Sequence, residues 1–167
     1  MYTLRCTQPL VAKLGHRTPP GYGQEPAATT LLGNWYANRL NVGRHRLILC
    51  TSERTLLSLV VPAKDLPGLP QRLVESLAPL LRSFGIAPAA VARETKEMAW
   101  VRFDRTTSRS VLGSMNDMAL QADAYFRRPG GIVYLDQLDR HLAENICGAL
   151  EYARPQEATL KLFTAAS

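Results

Sequence analysis

Long apolar runs are missing from this chain of 167 residues: no stretch of about 18 uncharged apolar residues occurs, so none of it is suited to cross a bilayer as a helix. The opening residues, Met1-Tyr2-Thr3-Leu4-Arg5-Cys6, lack the basic and then apolar order of a secretory leader. Cysteine is scarce. Cys6, Cys50 and Cys147 are odd in number, far apart and set among apolar residues, which argues against a disulfide framework and implies buried free thiols in a reducing, cytoplasmic setting. His16, His45 and His141 have no metal-ligand spacing with each other or with the cysteines, so no metal is expected. There is no Gly-x-Ser-x-Gly elbow around Ser114, no Gly-x-x-x-x-Gly-Lys-Ser/Thr loop and no Gly-x-Gly-x-x-Gly after a strand. These absences weigh against the common hydrolase, nucleotidase and dinucleotide-dependent classes, and no cofactor is expected.

What is present describes one ordinary globular domain over residues 1–167, with 46% hydrophobic and 20% charged residues and length enough to bury a single core. The formal net charge of +6 is unevenly placed. Residues 1–84 carry ten Lys/Arg against four acids, whereas residues 85–167 carry ten against ten. A basic half-domain suggests an anionic partner, which is nucleic acid, a nucleotide or an acidic protein face; no membrane partner is expected, for want of an apolar run. A charge of this size also serves simply to keep a small domain soluble. Arginine outnumbers lysine sixteen to four, which suits bidentate recognition of phosphate or carboxylate.

Along the chain, Tyr2, Leu4 and Cys6 alternate with Thr3 and Arg5, the period of a half-buried strand. Gln8–Leu14 reads as a short helix, and Gly15–Thr30, with Pro19, Pro20, Gly21, Gly23 and Pro26, as one long loop. Leu31–Asn38 is ambiguous between helix and strand. Arg46–Thr51 and Thr55–Val61 are β-prone runs joined by Ser52-Glu53-Arg54, which predicts an antiparallel hairpin in the middle of a sheet. Leu73, Leu77, Leu80, Leu81 and Phe84 form a helical stripe that Pro79 should kink or divide, with Gly85 as its cap. A short helical turn at Ala89–Glu94 and a strand at Met98–Phe103 follow. From Ser108, Val111, Met115, Met118, Ala122 and Tyr125 share a helical face, ended by Pro129-Gly130-Gly131. Leu135, Leu138, Leu142 and Ile146 mark another amphipathic helix, and Glu157–Phe163 a terminal one. Strands early and helices late predict an α+β single domain, a small, mainly antiparallel sheet packed against several helices.

The segments Leu32-Gly33-Asn34-Trp35-Tyr36-Ala37-Asn38, Glu53-Arg54-Thr55-Leu56-Leu57, Ser108-Arg109-Ser110-Val111-Leu112-Gly113-Ser114-Met115-Asn116-Asp117 and Glu157-Ala158-Thr159 together resemble an uncharacterised family of small bacterial domains of unknown function. The Arg-Ser-Val-Leu-Gly-Ser-Met-Asn-Asp run is its specific part. The resemblance implies one compact bacterial domain and no particular activity.

Two sets of residues are candidates for function. On a helix beginning near Ser108, Ser110, Ser114, Asp117 and Gln121 share one face, with Arg109, Gly113 and Asn116 beside it. With Trp35, Asn38 and Arg54, the residues Arg109, Ser110, Ser114, Asn116 and Asp117 make a candidate pocket, in which the aromatic ring stacks a base and the polar groups hydrogen-bond it. A structural reading competes: Thr107 or Ser108 caps the helix, Gly113 permits tight packing, Asn116 and Asp117 anchor the neighbouring hairpin or loop, and Trp35 and Tyr36 are core anchors. The second set, Arg39, Arg44, Arg46 and Arg54, is a candidate anion-binding group, against the reading of a solvated hairpin flank. His45, Glu53 and Arg54 are the groups that would serve metal-free nucleolysis if they met across the hairpin. Three functions follow from these features. They are a non-catalytic binding or regulatory module with an anionic partner, a metal-independent enzyme acting on a nucleotide or RNA, and, by analogy alone, a protein-interaction module in mobile-element or phage-defence biology.

Overall fold

A computed structural model describes residues 1–14, 27–130, 132–151 and 153–166; most of the long loop expected at residues 15–30 lies outside them. The strands are β1 (Tyr2–Cys6), β2 (Trp35–Val42), β3 (His45–Ser52), β4 (Ser58–Pro62) and β5 (Val101–Arg105). The helices are α1 (Gln8–Leu14), α2 (Leu69–Ser83), α3 (Pro88–Glu97), α4 (Arg109–Phe126), α5 (Leu135–Glu144) and α6 (Pro155–Ala165). The five strands form one sheet in the order β4-β3-β2-β1-β5. Antiparallel ladders join β2 to β3 and β3 to β4, and parallel ones join β1 to β2 and to β5. The fold is α+β, with a mostly antiparallel open sheet.

Helices cover both faces of the sheet. On one face Leu4, Trp35, Ile48, Leu59 and Val61 pack with Leu73, Leu77 and Leu81 of α2 and Val91 of α3. On the other, Tyr36, Leu47, Leu49 and Val60 pack with Val111, Met115 and Met118 of α4 and Leu138 and Leu142 of α5. The alternation of Leu47 and Leu49 with Ile48 and Cys50 thus feeds two cores from one strand. Because β1 lies between β2 and β5, all five of its residues are buried, where a half-buried strand was expected.

Three further expectations are corrected. The hairpin is present, but β4 lies at the sheet edge rather than in the middle. It begins at Ser58 and not Thr55, because Leu56 takes a φ of 53° and breaks the extended backbone. Pro79 does not divide α2, which runs unbroken from Leu69 to Ser83. Leu77, Leu80 and Leu81 are buried around the proline and hold both halves of the helix against the sheet, which outweighs the lost hydrogen bond. The fourth predicted strand starts at Val101, after an exposed Trp100.

The β4 edge is not left open. Helix α5 lies along it, and the backbone N–H of Val60 donates to Asp139 Oδ1 at 2.8 Å, so a side chain replaces the missing neighbouring strand. Among the described residues no helix is long and apolar enough to cross a membrane.

Candidate functional site

The residues of α4 are placed by its start. Ser108 Oγ accepts from Val111 N at 3.3 Å, so of Thr107 and Ser108 it is Ser108 that caps the helix. Tyr36 of β2 reaches across to this point: its hydroxyl bonds Thr107 Oγ1 at 3.1 Å and accepts from Ser108 N at 3.3 Å. Ser114 is buried and donates to its own helix, at Ser110 O. Arg109, Ser110, Asn116 and Asp117 are exposed.

The other members of the first candidate set point elsewhere. Trp35 is fully buried in the α2/α3 core, with the sheet between it and α4. Asn38 accepts from Thr7 Oγ1 at 2.9 Å. Arg54 lies over Gly33 and donates to Leu31 O at 3.1 Å. The eight residues do not converge on one cavity. His45, Glu53 and Arg54 do not meet either, because His45 opens β3 and the other two follow its end. At about 3.3 Å per residue that is roughly 25 Å of strand.

Gly113 is exposed, and a Cβ added there would meet nothing within 4 Å, so close packing does not require it. Gly113→Ala is expected to stabilise α4 by about 0.5–1 kcal/mol and raise the melting temperature by about 1–4 °C. A drop in a thermal scan would mean that something unseen approaches the helix at that point.

The second candidate set separates into a pair and two outliers. Between β2 and β3 only Gly43 and Arg44 turn the chain, with Val42 paired to His45. Gly43 takes a φ of 55°, a value that glycine adopts without strain in such a tight turn. The turn carries Arg44 at its tip and Arg46 one strand residue beyond His45. Opposite it run Pro62 at the end of β4, Phe126 and Arg127 at the end of α4, and Ile132, Val133 and Leu135 on the approach to α5. Together they enclose a cleft of about 770 Å³, within the range of small-molecule sites. Arg39 and Arg54 do not line it.

The cleft is basic and apolar at once. The rings of His45 and Phe126 stand 5.2 Å apart, tilted by 38°. Ile132 is 77% exposed on the wall, although it is a large aliphatic residue. Arg127 is held by Asp123 through two bonds, Nε to Oδ2 at 2.6 Å and Nη2 to Oδ1 at 3.3 Å. Among the described residues Arg44 and Arg46 have no carboxylate within salt-bridge distance, and no acidic residue among them lines the cleft. The sequence had flagged Arg44-His45-Arg46; it gave no pairing for Phe126, Arg127 and Ile132, whose basic signal, Arg127-Arg128, sits beside a helix stop. A second, smaller cleft of about 440 Å³ holds His141, Glu144, Asn145, Arg154 and Glu157. There the Arg154 charge is offset by Glu157 at 3.4 Å.

Chemistry elsewhere is restrained by burial. Cys6, Cys50 and Cys147 are all buried free thiols; desolvation raises each above the ordinary thiol range, Cys6 to about 12, so none is a ready nucleophile. Two buried carboxylates escaped the sequence reading. Glu94 accepts from Leu31 N at 2.7 Å and Leu32 N at 3.0 Å, tying α3 to the entry of β2, and burial raises its pKa despite those bonds. Asp139 is pushed up to about 8, first by burial and then by the charge of Asp136, against the lowering effect of the Val60 N–H. Both act on backbone donors, a structural duty. Among the described residues no cluster of histidine, cysteine and carboxylate side chains could hold a metal.

Searches of curated proteins and of solved structures returned no match to this chain. A family model described as "Domain of unknown function (DUF6933)" matches residues 3–158. That span runs from β1 through the cleft and α5 into α6. The chain belongs to this family of domains of unknown function.

Proposed function

We propose that this domain is a non-catalytic binding module for an anionic partner, engaged through the cleft at the β2–β3 turn. One observation carries the reading: Arg44 and Arg46 stand together at a concave, acid-free surface with their charges unneutralised by any described carboxylate. Two guanidinium groups so placed gain most from a phosphate or carboxylate, which they grip bidentately. The buried free thiols agree with a cytoplasmic setting.

Nucleic acid is the partner to test first. A single-stranded oligonucleotide should bind the domain in about 50 mM salt and weaken as salt rises to about 200 mM. Arg44→Ala with Arg46→Ala should weaken binding about tenfold or more and flatten the log–log salt dependence by about one to two. Both side chains are exposed, so the melting temperature should hardly change. Absence of binding by wild type at low salt and tens of micromolar protein rules out a nucleic-acid partner. Equal binding by the double variant rules out the cleft.

A further inference from the structure

The cleft also says what kind of anion it fits. Resting on the anion-binding reading, we infer that it takes one nucleoside phosphate unit, a single phosphate attached to a flat ring, and does not follow a polymer backbone. Four features converge. The volume of about 770 Å³ is that of a site for a small molecule or one chain end. Among the arginines that line the cleft, those without a described carboxylate partner are two, Arg44 and Arg46, confined to one turn, enough for one phosphate. The His45–Phe126 pair and the exposed Ile132 supply ring and aliphatic surface, which a bare anion would leave unused but a nucleobase would cover.

The fourth feature is the placement of Arg54 and Arg127. A protein that tracks a strand needs cations spaced along it. Arg54 instead lies beyond the far end of β3 and donates to Leu31 O. Arg127 at the cleft itself is already committed to Asp123. Two free charges beside a stackable surface match a phosphate joined to a base.

Four probes separate the outcomes by calorimetry on the full chain: adenosine 5′-monophosphate, adenosine, inorganic phosphate and a single-stranded oligonucleotide. The expected result is that the monophosphate binds at least tenfold more tightly than either adenosine or phosphate. Phe126→Leu should then weaken the monophosphate several-fold while leaving phosphate unchanged, and Arg46→Ala should weaken both. The folded state of each variant is checked by its melting temperature, and Ile132→Ser, at an exposed position, gives a second test of the ring contact should Phe126→Leu unfold. If phosphate binds as tightly as the monophosphate, ring recognition is overturned. If the oligonucleotide binds but the monophosphate does not, the single-unit inference falls and the anion-binding reading stands. If none of the charged probes binds, both fall.

Discussion

Leu49→Asp should leave this domain unfolded at room temperature. Leu49 is 1% exposed and sits in the middle of β3, paired with Asn38 on one side and Val60 on the other. Its side chain belongs to the core shared with Met115, Met118 and Leu138. Removing it forfeits about 2–5 kcal/mol of burial and packing. Placing an unpaired carboxylate in the same space adds several more, whether the group is charged or takes up a proton. The whole stability of such a domain is about 5–15 kcal/mol, so the sum consumes most or all of it. Circular dichroism and a denaturant titration would show this directly. Leu49→Ala should give an intermediate loss, and Leu120→Asp, at a position 71% exposed, almost none. Wild-type melting by Leu49→Asp would overturn the two-core architecture.

The second large effect is a dependence of stability on pH that runs opposite to that of a surface carboxylate. Asp139 is 3% exposed and its pKa rises from 3.8 to about 8 on folding. The native state therefore holds a proton between about pH 4 and 8 that the unfolded chain has released. Stability is then greatest below the unfolded pKa and falls as pH rises toward the folded one. A shift of this size corresponds to an upper limit of about 6 kcal/mol, at 1.36 kcal/mol per unit. Asp139→Asn keeps an acceptor for Val60 N and removes the ionisation. Its melting temperature should stay close to wild type at pH 3.5 and exceed it by many degrees at pH 8.5. Glu94 is shifted in the same direction, so some decline with pH should persist in the variant. A difference between the two proteins that is constant from pH 5 to 8.5 would show that folding does not raise the pKa of Asp139.

Both effects originate in contacts between segments far apart in the chain, and the same division separates what was legible in the sequence from what was not. The α4 face of Val111, Met115, Met118 and Ala122 was readable because a helix repeats its buried side every three to four residues. The apolar runs forming β3 and β4 were readable for the same local reason. A cap at Thr107 or Ser108 followed from their hydroxyls at the start of that stripe, and the structure places it at Ser108. The three thiols were readable as buried from their apolar surroundings. In the same way, the crowding of strands before helices was enough for the α+β class.

Partnership across the fold was not readable. Nothing near Asp139 in sequence says that it faces the backbone of Val60, 79 positions away, and nothing near Glu94 points to Leu31 and Leu32. Trp35 and the α4 polar stripe looked like one pocket because both carry suitable groups, yet a strand turns successive side chains to opposite faces, and the sheet separates the two. The arginines near the hairpin looked like one patch until the length of β3 carried Arg54 away from Arg44 and Arg46. The sequence by itself determined the local periods, the caps and the basic bias of the N-terminal half, since these depend on neighbours along the chain. Only the tertiary structure decided which charges stay unneutralised and which ring stands beside them, because a cleft is made by the meeting of the β2–β3 turn with the end of α4, over 80 residues away.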